Sequence, residues 1–280
     1  MQMNTSAYIP YDCVSPIIVK NEEYPDYPFF HGTGFFVQFK PHDYVFFITA
    51  KHCTHAPDNN ELGYVKVAVE QENCTQQILF KECLMGGVRG LKIEDLEDIV
   101  IYVVDDSKKE QMEALKKRCI RLIHQQDVDT ILDMVLSEKR KLRTVGFPAT
   151  SEKVIDYASS TATAPSRGFY GNVTGRSEDG LLYTMENLNW KDNDGKLDGF
   201  SGSPVIEFLP ERMIVDFPPK PEDIEPVPVG IIVMGSNGIA KFLTINVVTN
   251  IIAGYINAQR QNAALPQLPG GSSSAIPQPM

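Results

Sequence analysis

At 280 residues and 42% hydrophobic content, the chain is long enough to bury a large core, in one two-lobed unit or two small domains. Its formal net charge of -10 disfavours nucleic acid and acidic membranes, which need basic patches. That charge weakly favours basic or neutral substrates, although solubility alone would account for it equally well. No apolar run approaches the length of a membrane span, and no charged, apolar, small-residue triplet opens the chain, so neither a spanning helix nor a signal peptide is expected.

Strands are expected from about residue 29 to residue 104. Tyr44-Val45-Phe46-Phe47-Ile48 is a β-branched and aromatic run, closed by Thr49-Ala50-Lys51-His52-Cys53. Residues 64–69 and 78–80 alternate or cluster apolar side chains as strands do. Among five histidines, only His52 sits where a strand ends in a small-residue turn. Alone, it reads as a structural or surface residue. Further on, Asp98 leads directly into the apolar run Ile99-Val100-Ile101-Tyr102-Val103-Val104, although acids commonly cap strands.

The texture then changes. Residues 107–124 read as a helix with Ser107 or Asp106 as N-cap, since Met112, Leu115, Cys119 and Leu122 recur at helical spacing. Residues 127–136 suggest a second short helix, and 138–141 a basic loop. Strands are expected again at 153–157, 167–171 and 181–185. Asp192-Asn193-Asp194-Gly195 is a turn that superficially resembles a calcium loop. No downstream glutamate stands at the required spacing, so no metal site is expected.

Gly199-Phe200-Ser201-Gly202-Ser203-Pro204 places a serine between glycines just before an apolar run. A serine hydroxyl needs a base to become a nucleophile, and glycines beside it let consecutive N–H groups point at one spot. The hexapeptide alone also reads as a turn entering a strand. Residues 215–227, with four prolines, read as an extended surface loop. Residues 247–259 read as a helix with Ile251, Ile252 and Tyr255 on one face. Residues 263–280, rich in Pro, Gly and Ser, should be disordered or a linker.

Taken in order, His52, Asp98 and Ser201 resemble the trypsin-like (chymotrypsin-fold) serine peptidases. Thr49-Ala50-Lys51-His52-Cys53, Asp98-Ile99-Val100-Ile101 and the segment 199–204 are similar to that family's histidine, aspartate and serine blocks. His31-Gly32-Thr33-Gly34-Phe35 resembles the strand before the histidine in bacterial members. Leu142-Arg143-Thr144-Val145-Gly146-Phe147-Pro148 and the segment 229–236 resemble strands of the second barrel. The branch suggested is HtrA-like or glutamyl-endopeptidase-like, without room for a PDZ domain.

The resemblance implies a mainly β fold: two six-stranded antiparallel β-barrels, a helical inter-barrel insertion and a C-terminal helix. The expected units are 1–105 with His and Asp, 106–141 helical, 142–262 with the nucleophile, and a tail at 263–280. It implies a serine endopeptidase in which His52 is the base, Asp98 its orienter and Ser201 the nucleophile, with the Gly199 and Ser201 N–H groups as oxyanion hole. Val233, Met234 and Gly235 would pair with the substrate backbone. The stretches 195–198 and 239–241 would wall the specificity pocket, and Lys241 would accept an acidic side chain if it points inward. No cofactor or metal is implied.

Phe200 stands where animal digestive enzymes carry the aspartate that pairs with a newly released N-terminus, so that switch is not expected. In extracellular relatives, Cys53's position bonds to a cysteine on the Gly-rich strand. Here that strand has none, and the cysteine count is five. A buried free thiol and a reducing, cytoplasmic setting follow, with a Cys74–Cys83 pair as the exception to check. The partners implied are a protein or peptide substrate and a regulator docking on the helical insertion or tail. The alternatives are a catalytically silent peptide-binding module, or a resting protease whose oxyanion loop a partner switches.

Overall fold

The computed structural model describes residues 11–19, 29–39, 42–54, 65–71, 74–85, 98–149, 153–156, 161–191, 195–210 and 224–264. The fold is mainly β. The first half contributes β1 (Val14–Val19), β2 (Phe29–Gln38), β3 (Val45–Ala50), β4 (Val65–Gln71), β5 (Cys74–Gln77), β6 (Phe80–Met85) and β7 (Ile99–Val104). With the short β8 (Ile120–Arg121), these make one sheet in the order β5-β4-β1-β2-β3-β7-β6, β8 lying parallel to β2.

Every residue of β3 and β7 is buried. The period-two alternation of a strand divides them between two cores. Phe46, Ile48, Ile99, Ile101 and Val103 face the core shared with the second half of the chain. Val45, Phe47, Ala50, Val100, Tyr102 and Val104 face a separate, smaller core. This double burial explains why their sequences read as continuous apolar runs.

The second half closes on itself. The strands are β9 (Lys141–Gly146), β12 (Arg167–Arg176), β13 (Leu182–Glu186), β14 (Pro204–Pro210), β15 (Ile224–Ser236) and β16 (Ile239–Thr244), with a separate hairpin of β10 (Val154–Asp156) and β11 (Thr161–Thr163). They form a closed antiparallel barrel in the order β12-β13-β16-β15-β14-β9. In the first half no ladder joins β5 to β6 among the described residues. A single bond, Ile78 N to Val67 O at 2.8 Å, links the approach to β6 with β4.

Between the halves lie α1 (Lys109–Lys116) and α2 (Gln125–Glu138). The single long helix expected at 107–124 is instead the eight-residue α1 followed by β8. Asp105 Oδ1 accepts from Ser107 N at 3.0 Å and shapes a turn ahead of it, and neither Asp106 nor Ser107 caps the helix; the N-cap is Lys108. The second helix is longer than 127–136. It stops where Lys139 adopts a left-handed φ of 54° and donates to Leu136 and Val135 carbonyls. The basic loop at 138–141 is thus a helix end and the start of β9. Val128, Ile131, Leu132 and Val135 are buried in the shared core, at about 2 kcal/mol each before entropy. The insertion's apolar stripe packs on its own protein.

The final helix, α3 (Ile245–Ala264), begins and ends beyond the expected 247–259. Ile252 and Tyr255 are buried and Ile251 half-buried, as their shared face predicts. Residues 224–227 of the expected proline loop belong to β15, while 211–223 and 265–280 lie outside the described residues. Ile78 and Leu79 precede β6 rather than form it, and β1 was not anticipated. Cys13, Cys53, Cys83 and Cys119 are free, so no Cys74–Cys83 bridge forms.

Candidate active site

The β3–β7 ladder brings His52 and Asp98 together. Ala50 pairs with Ile99, and Lys51 N donates to Asp98 O at 2.8 Å, extending the ladder by one rung. The chain then winds into a 3₁₀ turn at Lys51–Cys53. There the Asp98 carboxylate takes two bonds from one residue: His52 N to Oδ1 at 2.9 Å, and Nδ1 to Oδ2 at 2.7 Å. An ionised carboxylate only accepts, so Nδ1 carries a proton, and in the neutral ring Nε2 keeps its lone pair. The Asp98 hydrogen bond raises the His52 pKa above its ordinary 6.5, the Cys53 side chain adds to this, and burial opposes it. The imidazole is 49% exposed and Asp98 23%, so the site opens to solvent.

Ser201 is the second residue of the second of two consecutive turns that share Phe200. Phe200 N donates to Leu197 O at 3.0 Å, and Ser203 N to Phe200 O at 2.9 Å. The third residue of each is a glycine at positive φ: Gly199 at 86° and Gly202 at 83°. An i-to-i+3 bond with such a third residue is the type II signature. A Cβ on Gly199 would also lie 2.4 Å from Phe147 O, so glycine is required twice over.

The first turn fixes a peptide direction. Asp198 O accepts from Ala149 N at 2.7 Å. A trans peptide points its C=O and N–H oppositely, so Gly199 N–H points away from Ala149. Neither Gly199 N nor Ser201 N donates to any described residue.

Two features that sequence reasoning missed hold these turns. Phe200 is fully buried, edge-on to Phe169 (4.9 Å, 83°) and Trp190 (5.0 Å, 83°). Thr33, on β2, donates its hydroxyl to Gly199 O at 2.7 Å and accepts Phe147 N at 2.8 Å. The Gly-Thr-Gly pattern of β2 was the available signal for Thr33. The Phe200 cage carried none, because its partners are 31 and 10 residues away in sequence.

The two halves meet at Ser201. Its carbonyl accepts from Thr33 N at 3.1 Å and lies 3.6 Å from the buried Cys53 Sγ, one residue after His52. Among the described residues, no hydrogen bond joins the Ser201 hydroxyl to His52.

On the other flank, Gly202 N donates to Ile232 O at 2.7 Å, and Ile232 N to Ser203 O at 2.9 Å. Beyond Ile232, β15 pairs with β16 through Met234↔Lys241 and Gly235↔Ala240, with Val233 in a bulge. The opposite edge of Val233, Met234 and Gly235 has no strand partner among the described residues. Val233 is buried, whereas Met234 is 49% exposed. Leu197 packs on Gly235, and the β15–β16 hairpin closes over Asn237-Gly238, both at positive φ. Lys241 is half-buried in the middle of β16. Residues 192–194 of the expected turn lie outside the described residues.

Among the described residues no cluster of three or more His, Cys, Asp or Glu side chains stands ready to hold a metal ion, and no helix is long and apolar enough to cross a membrane. The sequence matches no family model and no curated protein.

Proposed function

We propose that this protein is a serine endopeptidase built on the chymotrypsin-like two-barrel plan, with Ser201, His52 and Asp98 as its triad. The observation that carries this reading is the double bond from His52 to the Asp98 carboxylate, at the junction where β2 and Cys53 meet the Ser201 carbonyl. Asp98 holds the imidazole in the tautomer a base requires and stabilises the imidazolium that forms. His52 Nε2 takes the Ser201 proton, Ser201 Oγ bonds to the peptide carbonyl carbon, and the oxyanion settles against Gly199 and Ser201 N–H. Each such donor lowers the barrier by roughly 3 kcal/mol. His52 then returns the proton to the leaving amine, and water releases the acyl group by the same steps.

The acyl half of the substrate adds as a strand to the open edge of Val233, Met234 and Gly235. The free cysteines suit a reducing compartment.

A second reading, a resting protease awaiting a partner, draws support from the missing Ser201–His52 hydrogen bond. The direction of the Gly199 amide argues against the version in which the oxyanion loop itself must be switched. A bond that tightens only when substrate binds accounts for both. The test is labelling by a fluorophosphonate. Wild type should react and Ser201→Ala should not. An unlabelled wild type, with correctly folded protein, refutes the peptidase in its active form and leaves the resting protease or the peptide-binding module.

A further inference from the structure

Ser201 is flanked by β15 on one side and by β2 on the other, through Gly202 N to Ile232 O and Thr33 N to Ser201 O. If the acyl half of a substrate lies along β15, the leaving half passes over β2. From Thr33 back to Phe30 is three strand residues, about 10 Å, the span of the first three leaving-group residues.

A cation waits at that distance. The Lys153 ammonium stands 5.4 Å from the Phe30 ring centroid. It is half-buried, and among the described residues no carboxylate is paired with it. Burial lowers its pKa to about 8, while the Cys53 thiol acts on it in the opposite sense. Next to Phe30 in sequence, His31 sets its Nδ1 3.1 Å from Cys53 O and its ring edge-on to the 37%-exposed Phe29 at 5.6 Å. A cation–π contact positions an ammonium without neutralising it, so among the described residues its charge stays open to an anionic ligand.

We infer that Lys153, set against Phe30, forms a subsite for an acidic side chain among the first three residues on the leaving-group side of the scissile bond. This rests on the peptidase reading. A lysine offers a point charge rather than a planar fork, so the subsite selects the charge and does not separate Asp from Glu. A charge-assisted bond from a partly desolvated ammonium gives about a tenfold preference for Glu over Gln there.

The test is a cleavage-site profile on a mixture of synthetic tetradecapeptides, read by mass spectrometry, with fluorophosphonate labelling of wild type run alongside. Wild type should enrich Asp and Glu in those three positions. Lys153→Arg should keep the enrichment, Lys153→Met should lose it, and Lys153→Glu should turn it towards Lys and Arg. Comparing peptides within each variant removes any effect of a variant on total activity. A wild type that labels and cleaves without acidic enrichment, or an enrichment that survives in Lys153→Met, overturns the subsite. A wild type that does not label overturns the peptidase reading, and the subsite with it.

Discussion

Phe200 anchors the serine loop by packing its ring in the core, so truncating it should disarm that loop. The ring is fully buried, with two perpendicular aromatic partners about 5 Å away. Phe200→Ala removes that ring from a core, at a cost of about 3–5 kcal/mol, and the loss of two edge-to-face pairs places this site towards the upper end. For a protein of this size the melting temperature should fall by about 10 °C. Phe200 N and O also close both turns around Ser201, so the loop loses its anchor together with its core contact. Urea unfolding followed by circular dichroism measures the stability term, and the fluorophosphonate labelling rate measures the loop. Phe200→Leu, which keeps most of the volume, should recover over half of the lost stability and most of the labelling. A Phe200→Ala protein within 1 kcal/mol of wild type that labels at the wild-type rate would refute the cage as the loop's support.

Three further outcomes follow from the same geometry. Gly199→Ala places a Cβ 2.4 Å from the Phe147 carbonyl at φ 86°, so the amide must turn and labelling should slow by at least about 100-fold, read as a second-order rate constant. Thr33→Val leaves the buried Phe147 N–H and the Gly199 carbonyl unpartnered; unfolding free energy should fall by about 2–4 kcal/mol, whereas Thr33→Ser should lose less than half of that. Asp98→Asn should cut kcat/KM by about 10⁴. It should also move the acid limb of the pH profile down, because Asp98 is the main cause of the raised His52 pKa. The base works only when neutral, so the wild-type limb lies above pH 6.5. Stability runs the other way: the contribution of this pair is complete below the unfolded pKa and fades as pH rises through the folded one.

The sequence announced the strands buried on both faces, β3 and β7, because a run such as Ile99–Val104 has few other homes. It also placed His52 at the end of one strand and Asp98 at the start of another, and the ladder joins those two strands directly. Local pattern failed where a non-local partner decides the outcome. Gln111 sits on the buried side of α1 because its amide bonds both peptide groups of Leu79, at 2.8 and 3.1 Å, which no helical periodicity reveals. The helix expected through residue 124 ends at Lys116 because Ile120 and Arg121 pair with Val37 and Gln38. Thr33 and the Phe200 cage stayed hidden for the same reason: their partners lie far away in sequence.

The last described helix belongs to both halves. Tyr255 of α3 donates its hydroxyl to Glu82 on β6 at 2.9 Å and sets its ring edge-on to Tyr44 and Phe46, although α3 follows directly from β16 of the barrel. A ribosome finishes both sheets before it makes this strap. The cleft that gathers His52 from one sheet and Ser201 from the other is therefore fastened late, after most of the chain has emerged.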